Sequence, residues 1–508
     1  MIADEGHHKI HHMKFAYLIT FSLLSAGQAT AQYTGGYLEP HRPGIHFSPR
    51  EHWMNDPNGL VYYHKTWHLF FQYFPGGSTW GPMHWGHASS TDLMHWTQRP
   101  VALYPDTLGY IFSGSVVADV HNTSGFGKDG KVPLVAVFTQ HDPRGEKDGR
   151  LDFQNESLAF SLDDGASWTK YKGNPVLKNP GIKDFRDPKV VWNEKQKDWL
   201  LCLATGDRIA FYASRDLKKW TKQSEFGQHL GAHGGVWECP DLFPLQYHGK
   251  TRWVLLVSIN PGGPNGGSAT QYFIGNFDGK KFSTSQTDTR WVDQGTDNYA
   301  GVTWSGTGNR KVFLGWMSNW LYAQVVPTET WRSTMTLPRE LSIDSMQGGF
   351  FLRSLPVKEL AVLEQKLLKK AVAPNVGIRL TGPAVLNLSF NSAQSFQITL
   401  ANNENEKWVA GFDASTGNYF IDRTQAGLAD FAKGFAGKIY AKRVSRSNQL
   451  RATLVIDNSS CEWFADNGTT VMTSIFFPTQ NYTSLKVTAE GNHPLDNISL
   501  TPLKTIWK

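Results

Sequence analysis

One turn of fixed chemistry recurs in the first three hundred residues, and it dictates most of what this chain can become. Ser90-Thr91-Asp92-Leu93-Met94-His95-Trp96 returns as Ser161-Leu162-Asp163-Asp164-Gly165-Ala166-Ser167-Trp168. It returns again as Ser214-Arg215-Asp216-Leu217-Lys218-Lys219-Trp220, and more weakly as Asp278-Gly279-Lys280-Lys281-Phe282. In each copy an Asp opens a turn and an aromatic follows four residues later, with copies about 50 to 70 residues apart. Around these turns, Tyr33 to Leu341 reads as short β-rich runs such as Trp67-His68-Leu69-Phe70-Phe71-Gln72-Tyr73, bounded by Gly, Asp, Asn and Pro. No amphipathic stretch of helical length interrupts them. Uneven repeats of this size suit four-stranded blades, and four copies plus a degenerate fifth predict a five-bladed β-propeller over residues 32–341.

The periodicity changes at Leu355-Pro356-Val357-Lys358-Glu359-Leu360. Leu360, Leu363 and Leu367 suit one short helix, which predicts a helical linker over 342–371. Alternating runs then resume, among them Phe396-Gln397-Ile398-Thr399-Leu400 and Ala452-Thr453-Leu454-Val455-Ile456-Asp457. They predict a β-sandwich over 372–508. The fold class is therefore all-β throughout. The sequence of the sandwich leaves three roles open: glycan binding, homodimer formation, or bracing of the propeller.

Composition removes several function classes. The 50 basic and 44 acidic residues are scattered, and no Lys/Arg cluster offers a nucleic-acid surface. Cys202, Cys239 and Cys461 are too few for a disulfide scaffold and lack zinc-site spacing. Lys14, the apolar run Phe15 to Ala26, and Ala29-Thr30-Ala31 describe a secretory signal peptide cut after Ala31. Residues 1–12 precede Met13 and read as upstream sequence. The expected location is outside the cytoplasm, secreted or periplasmic. No later segment reaches the ~20 apolar residues of a membrane span.

The chemistry must lie in acids, because no catalytic-serine elbow, His-Glu-x-x-His motif or phosphate loop is present. Three carboxylates stand among aromatics and beside proline: Asp56 in Trp53-Met54-Asn55-Asp56-Pro57-Asn58-Gly59, Asp187 in Phe185-Arg186-Asp187-Pro188, and Glu238 in Trp237-Glu238-Cys239-Pro240. A stiffened backbone would hold each at the end of an inner strand. Inner strands converge on a propeller axis, so acids from different blades can meet there. Paired carboxylates are what double displacement at a glycosidic carbon requires. His84, His87 and His95 read as imidazoles hydrogen-bonded among aromatics, and Cys239 as a small packing residue.

These three segments, in this order, resemble the fructan-hydrolysing glycosidases of glycoside hydrolase family 32, the invertases, exo-inulinases and levanases. Phe112-Ser113-Gly114-Ser115 is similar to the family's substrate-contact segment, and Asp457-Asn458-Ser459-Ser460-Cys461-Glu462-Trp463-Phe464 to a strand motif of its C-terminal sandwich. The resemblance implies Asp56 as nucleophile, Glu238 as acid/base and Asp187 as transition-state stabiliser, with Arg186 keeping Asp187 ionised. It implies a sugar-binding shell of Trp53, Asn55, Gln72, Trp80, Phe112 and Ser113. Arg186, Asp297 and Trp316 complete that shell. No metal and no cofactor are implied. Trp331-Arg332-Ser333-Thr334-Met335 resembles the exo-inulinase and levanase branch, so the expected substrates are fructan polysaccharides, fructo-oligosaccharides and sucrose. Endo-cleavage of levan stays open, as does a non-catalytic fructan-binding protein, although the latter is expected to lose one of the three acids. An inverting arabinan hydrolase would share the fold, but the Trp-Met-Asn-Asp-Pro-Asn-Gly segment argues against it.

Overall fold

A computed structural model describes residues 36–346, 348–366, 370–371, 375–489 and 497–507 of the chain. The upstream sequence and leader expected over 1–31 lie outside the described residues. Five sheets follow one another along the chain, each running antiparallel from an inner strand outwards. Their inner strands are His52–Tyr63, Tyr110–Ala118, Phe185–Asn193, Val236–Tyr247 and Tyr299–Thr303. Each packs beside the next, and Tyr299–Thr303 packs back on His52–Tyr63, which closes a ring of five blades. Trp331–Arg332 seals the ring by pairing parallel with His52 and Trp53 of the first blade.

The recurring Asp turn joins the third and fourth strands of the first four blades. Asp92 Oδ1 accepts from the Met94 and His95 amides, Asp216 Oδ1 from Lys218 and Lys219, and Asp278 Oδ1 from Lys280 and Lys281. In the second blade Asp163 takes this role, through the Ser167 amide. These are Asx turns, in which the side chain replaces a backbone acceptor. The aromatic that follows wedges against the preceding blade. Trp168 meets Phe70 edge-on at 5.4 Å, Phe282 meets Phe226 at 5.0 Å, and Trp96 lies on Trp304 of the fifth blade at 6.3 Å. The motif thus fixes a hairpin and a blade contact together.

The fifth blade lacks this turn and extends further than the sequence reading placed it. Arg339–Met346 and Gly349–Pro356 form a hairpin, and Arg339 and Glu340 pair with Phe313 and Val312. The sheet therefore runs to Pro356 and does not end at Leu341. Its alternation is plain in the burial of Arg339, Leu341 and Ile343 between outward Glu340 and Ser342. Of the expected linker over 342–371, the described residues include the 3-10 helix Lys358–Leu363, with Leu360 and Leu363 buried. Leu367 lies outside the described residues.

Two six-stranded sheets follow, beginning with Lys370–Ala371 paired to Leu500 and Ser499. They form a β-sandwich whose core includes Leu386, Ile398, Trp408, Tyr419, Leu454 and Trp463. Its hairpin around Ser459 reaches into the propeller. His46 lies between two carboxylates, Nδ1 2.7 Å from Asp457 Oδ2 and Nε2 2.8 Å from Glu462 Oε1. Glu462 also accepts from Arg339 Nε at 2.8 Å, and Arg339 Nη1 donates to Asp293 at 2.9 Å. All five side chains are buried.

Candidate active site

Every inner strand breaks its ladder near the start, and the sequence-predicted acids sit at those breaks. Register shifts fall between Met54 and Pro57, Ile111 and Gly114, Glu238 and Asp241, and Tyr299 and Val302, with another opposite Arg186 to Lys189. A β-bulge leaves residues unpaired and re-aims their side chains. Proline tolerates such a position because it has no N–H to lose, which accounts for Pro57, Pro188 and Pro240. Three non-glycine residues there adopt left-handed backbone: Asp187 (φ 67°), Cys239 (φ 45°) and Ala300 (φ 53°). That conformation costs of order 1–3 kcal/mol each and is held by the surrounding blades. Gly59 lies in a second irregularity of the first inner strand, between Asn58 and Val61, at φ 54°, where a Cβ would lie 2.8 Å from Phe70.

The bulges turn Asp56, Asp187 and Glu238, from three different blades, onto one cavity of about 300 Å³. Asp56 Oδ2 accepts from the Ser113 hydroxyl at 2.7 Å and Oδ1 from Asn55 Nδ2 at 3.0 Å. Burial and the nearby Glu238 charge push Asp56 above the usual carboxylate range, and these donors oppose the push. Asp187 Oδ2 accepts from the Cys239 amide at 3.0 Å. Burial pushes Asp187 up to about 7, against the pull of Arg186. The Cys239 thiol bridges the two acids, 3.5 Å from Asp56 and 3.6 Å from Asp187. Burial and the adjacent carboxylates raise that thiol well above its ordinary value, so it is a neutral spacer.

Arg186, whose charge opposes the rise on Asp187, also engages a second acid. Its guanidinium clamps Glu238 Oε1 through Nη2 at 2.9 Å and Nε at 3.2 Å, while Asp187 lies 4.0 Å away. Its other end is anchored on Asp184 at 2.6 Å. The second oxygen of Glu238 accepts from the Tyr299 hydroxyl, a partner that the sequence reading did not find. Trp237, next to the acid, is fully buried on Phe273 and turned from the cavity.

Of the expected shell, Asn55, Gln72, Trp80, Phe112, Ser113 and Arg186 line the cavity. Buried Gln72 Nε2 has no partner among the described residues, a donor free for a ligand. Trp53 stands behind the wall, its indole donating to Asn55 Oδ1 at 2.7 Å. Trp316 is also behind it, and Trp320, packed 4.9 Å from Trp316 and 5.9 Å from Trp53, forms the wall instead. Asp297 does not reach the cavity. It is fully buried and faces the sandwich, where Arg423 Nη1 donates to it at 2.8 Å. Arg423 also holds the Tyr322 hydroxyl at 3.0 Å. A carboxylate that deep requires a cation, and the sandwich supplies it. The cavity's remaining side, with His141, Glu146, Phe153, Gln154 and Gln324, was missed because these residues form no motif.

Comparison with known proteins agrees with this architecture. The sequence matches the models of the Glycosyl hydrolases family 32 N-terminal domain over residues 46–353 and of the Glycosyl hydrolases family 32 C terminal over 360–502. A levanase of Bacillus subtilis is 44% identical, aligned over 96% of this chain and 74% of that protein. An extracellular exo-inulinase of Aspergillus niger is 40% identical over 93% and 96%. The crystal structure of exo-inulinase from Aspergillus awamori superposes with a TM-score of 0.86 at 36% identity, covering 93% of this chain and all of that one. The β-fructofuranosidase of Schwanniomyces occidentalis complexed with fructosyl-erythritol gives 0.82 at 32% identity, over 92% and 99%. With a bulged, acid-lined cavity at the centre of five blades and both family models matched, the chain belongs to glycosyl hydrolase family 32.

Proposed function

We propose that the protein is an exported β-fructofuranosidase that releases terminal fructose from levan or inulin, cleaves sucrose as well, and retains configuration. The meeting of Asp56, Asp187 and Glu238 from three blades on one cavity carries this reading. The relatives named levanase and exo-inulinase support the substrate class, and the name extracellular supports export.

The site chemistry follows from its contacts. Asp56, held by Ser113 and Asn55, attacks C2 of the fructosyl unit and forms a covalent fructosyl-enzyme. Glu238 gives its proton to the leaving oxygen and then takes one from water. Arg186 and Tyr299 each fix one of its oxygens, so the carboxyl keeps its aim through both steps. Asp187 uses one oxygen on the Cys239 amide and keeps Oδ1 without a partner among the described residues. That oxygen can bind ring hydroxyls and offset the developing oxocarbenium charge. Gln72 Nε2 supplies a donor to the same sugar, and Trp320 and Trp80 offer it indole faces.

The test is product analysis after separate incubation with levan, inulin and sucrose. Fructose alone, accumulating steadily, is the expected result, with Asp56→Asn and Glu238→Gln each losing about 10²–10⁴-fold in rate. A ladder of oligosaccharides would replace exo with endo action. No product from any of the three would leave a fructan-binding protein. Retention is read from the anomer first released, by NMR.

A further inference from the structure

Besides Asp184, which anchors Arg186, the cavity carries one acid that none of these steps uses. Glu146 lies on the short helix Pro143–Lys147, its side chain 53% exposed. On the same cavity the Asp187 and Glu238 side chains are only 5% and 19% exposed. The reacting acids therefore mark the floor and Glu146 the rim, where the part of a substrate beyond the bound fructosyl unit must lie. The helix is held in place. Asp142 caps it by accepting from the Arg144 amide at 3.1 Å, and the Asp142 amide donates to the Phe153 carbonyl at 2.7 Å. Gly145 lets the turn lie on Phe153, since a Cβ there would sit 3.2 Å from the Phe153 Cβ.

A chain of hydrogen bonds orients Glu146. Gln154 Oε1 accepts from the Phe185 amide at 3.0 Å and from Arg186 Nη1 at 3.4 Å. Both partners can only donate, so the amide orientation is fixed and Gln154 Nε2 must be the group 3.3 Å from His141 Nδ1. His141 Nδ1 is then an acceptor, and the ring proton sits on Nε2, 3.1 Å from Glu146 Oε2. The ring itself lies flat on Phe112 at 4.3 Å. One carboxylate oxygen is thereby occupied. Glu146 Oε1 has no protein partner among the described residues.

We infer that Glu146, aimed by His141, recognises the sugar that is expelled, its free oxygen accepting hydroxyls of the leaving group. This rests on the β-fructofuranosidase reading above. Because Glu146 is half-exposed, water takes the place of a missing hydroxyl, and the discrimination is that of one exchanged hydrogen bond to a charged group. The chemistry suits any polyhydroxylated leaving group, the glucosyl unit of sucrose or the next fructosyl unit of a fructan. Because the carboxylate is charged, each such bond is worth about 10- to 100-fold in binding.

The experiment compares kcat/KM for sucrose with that for methyl β-D-fructofuranoside, whose leaving group, methanol, has no further hydroxyl. In Glu146→Ala the ratio of the two is expected to fall by about 10-fold or more. Glu146→Gln, which keeps an acceptor without the charge, is expected to fall between that and wild type. An equal loss on both substrates would assign Glu146 to the scaffold of the site and overturn the inference, and so would an unaltered ratio. If the wild-type protein cleaves neither substrate, the β-fructofuranosidase reading itself is wrong and the inference goes with it.

Discussion

His46 is the group whose titration should control stability. It is fully buried, with a carboxylate on each ring nitrogen. Those two acids overcome the burial that would otherwise discharge it and raise its pKa to about 9. In the unfolded chain the value is about 6.5. The native state thus holds this proton more tightly, and its contribution is complete below about pH 6.5, declines from there, and is gone above about pH 9. A gap of about 2.5 pH units at about 1.4 kcal/mol per unit makes the contribution about 3 kcal/mol. Unfolding entropy of ~2.1 cal/mol/K per residue over roughly 470 residues is about 1 kcal/mol/K, so the same contribution is about 3 °C in Tm. The perturbation is His46→Gln, and the assay is the melting temperature of both proteins from pH 6 to pH 10. The variant should melt about 3 °C below wild type at pH 6 and converge with it by pH 10. An offset that stays constant across the range would refute a charged imidazole at this position.

Three further outcomes follow from contacts already described. Tyr299→Phe removes the hydroxyl on Glu238 Oε2 and should lower kcat/KM for sucrose by about 10-fold, the value of one hydrogen bond to a charged group; steady-state kinetics at wild-type rates would dismiss that role. Arg423→Ala strands the Asp297 carboxylate in the interior and should cost about 3–5 kcal/mol in urea unfolding, whereas a loss under about 1 kcal/mol would mean that water reaches Asp297. All three cysteines are buried and their thiols raised by burial, so Ellman's reagent should find none in the native protein and three after unfolding. A native Cys239 that reacts would show the cavity floor to be open to reagents.

What the sequence disclosed, it disclosed through local chemistry. The Asp turns were legible because one side chain, by bonding amides two and three residues on, defines a hairpin without help from distant parts of the chain. The fifth blade closes with a turn that has no such residue, and its end was misplaced for that reason. The acids were legible through their prolines, which mark the unpaired positions of bulges. Asp297 shows the limit. It stands two residues before Tyr299, close in sequence to the site, yet it faces Arg423, 126 residues away. Nothing within reach of Asp297 along the chain encodes that cation. The same holds for Trp320 against Trp316, since an offset of four residues in a loop after a strand decides which indole meets the cavity. The His141–Glu146 side was hidden because its order comes from an amide orientation fixed by the neighbouring blade.

The parallel pairing of Trp331–Arg332 with His52 and Trp53, and the carboxylates that hold His46, bear on the order in which the molecule can form. His46 is made early, but Asp457 and Glu462 lie 411 and 416 residues later. Made from its N-terminus, the chain must complete nearly its whole length before its first blade acquires all its partners. Closing such long loops costs little extra equilibrium free energy, since the entropy grows only with the logarithm of length. It does slow folding, because distant contacts must be found before they stabilise anything. The strand that carries Asp56, the first among the described residues, is thus among the last to be fixed, and a partly made chain holds Asp56 on an unsealed edge.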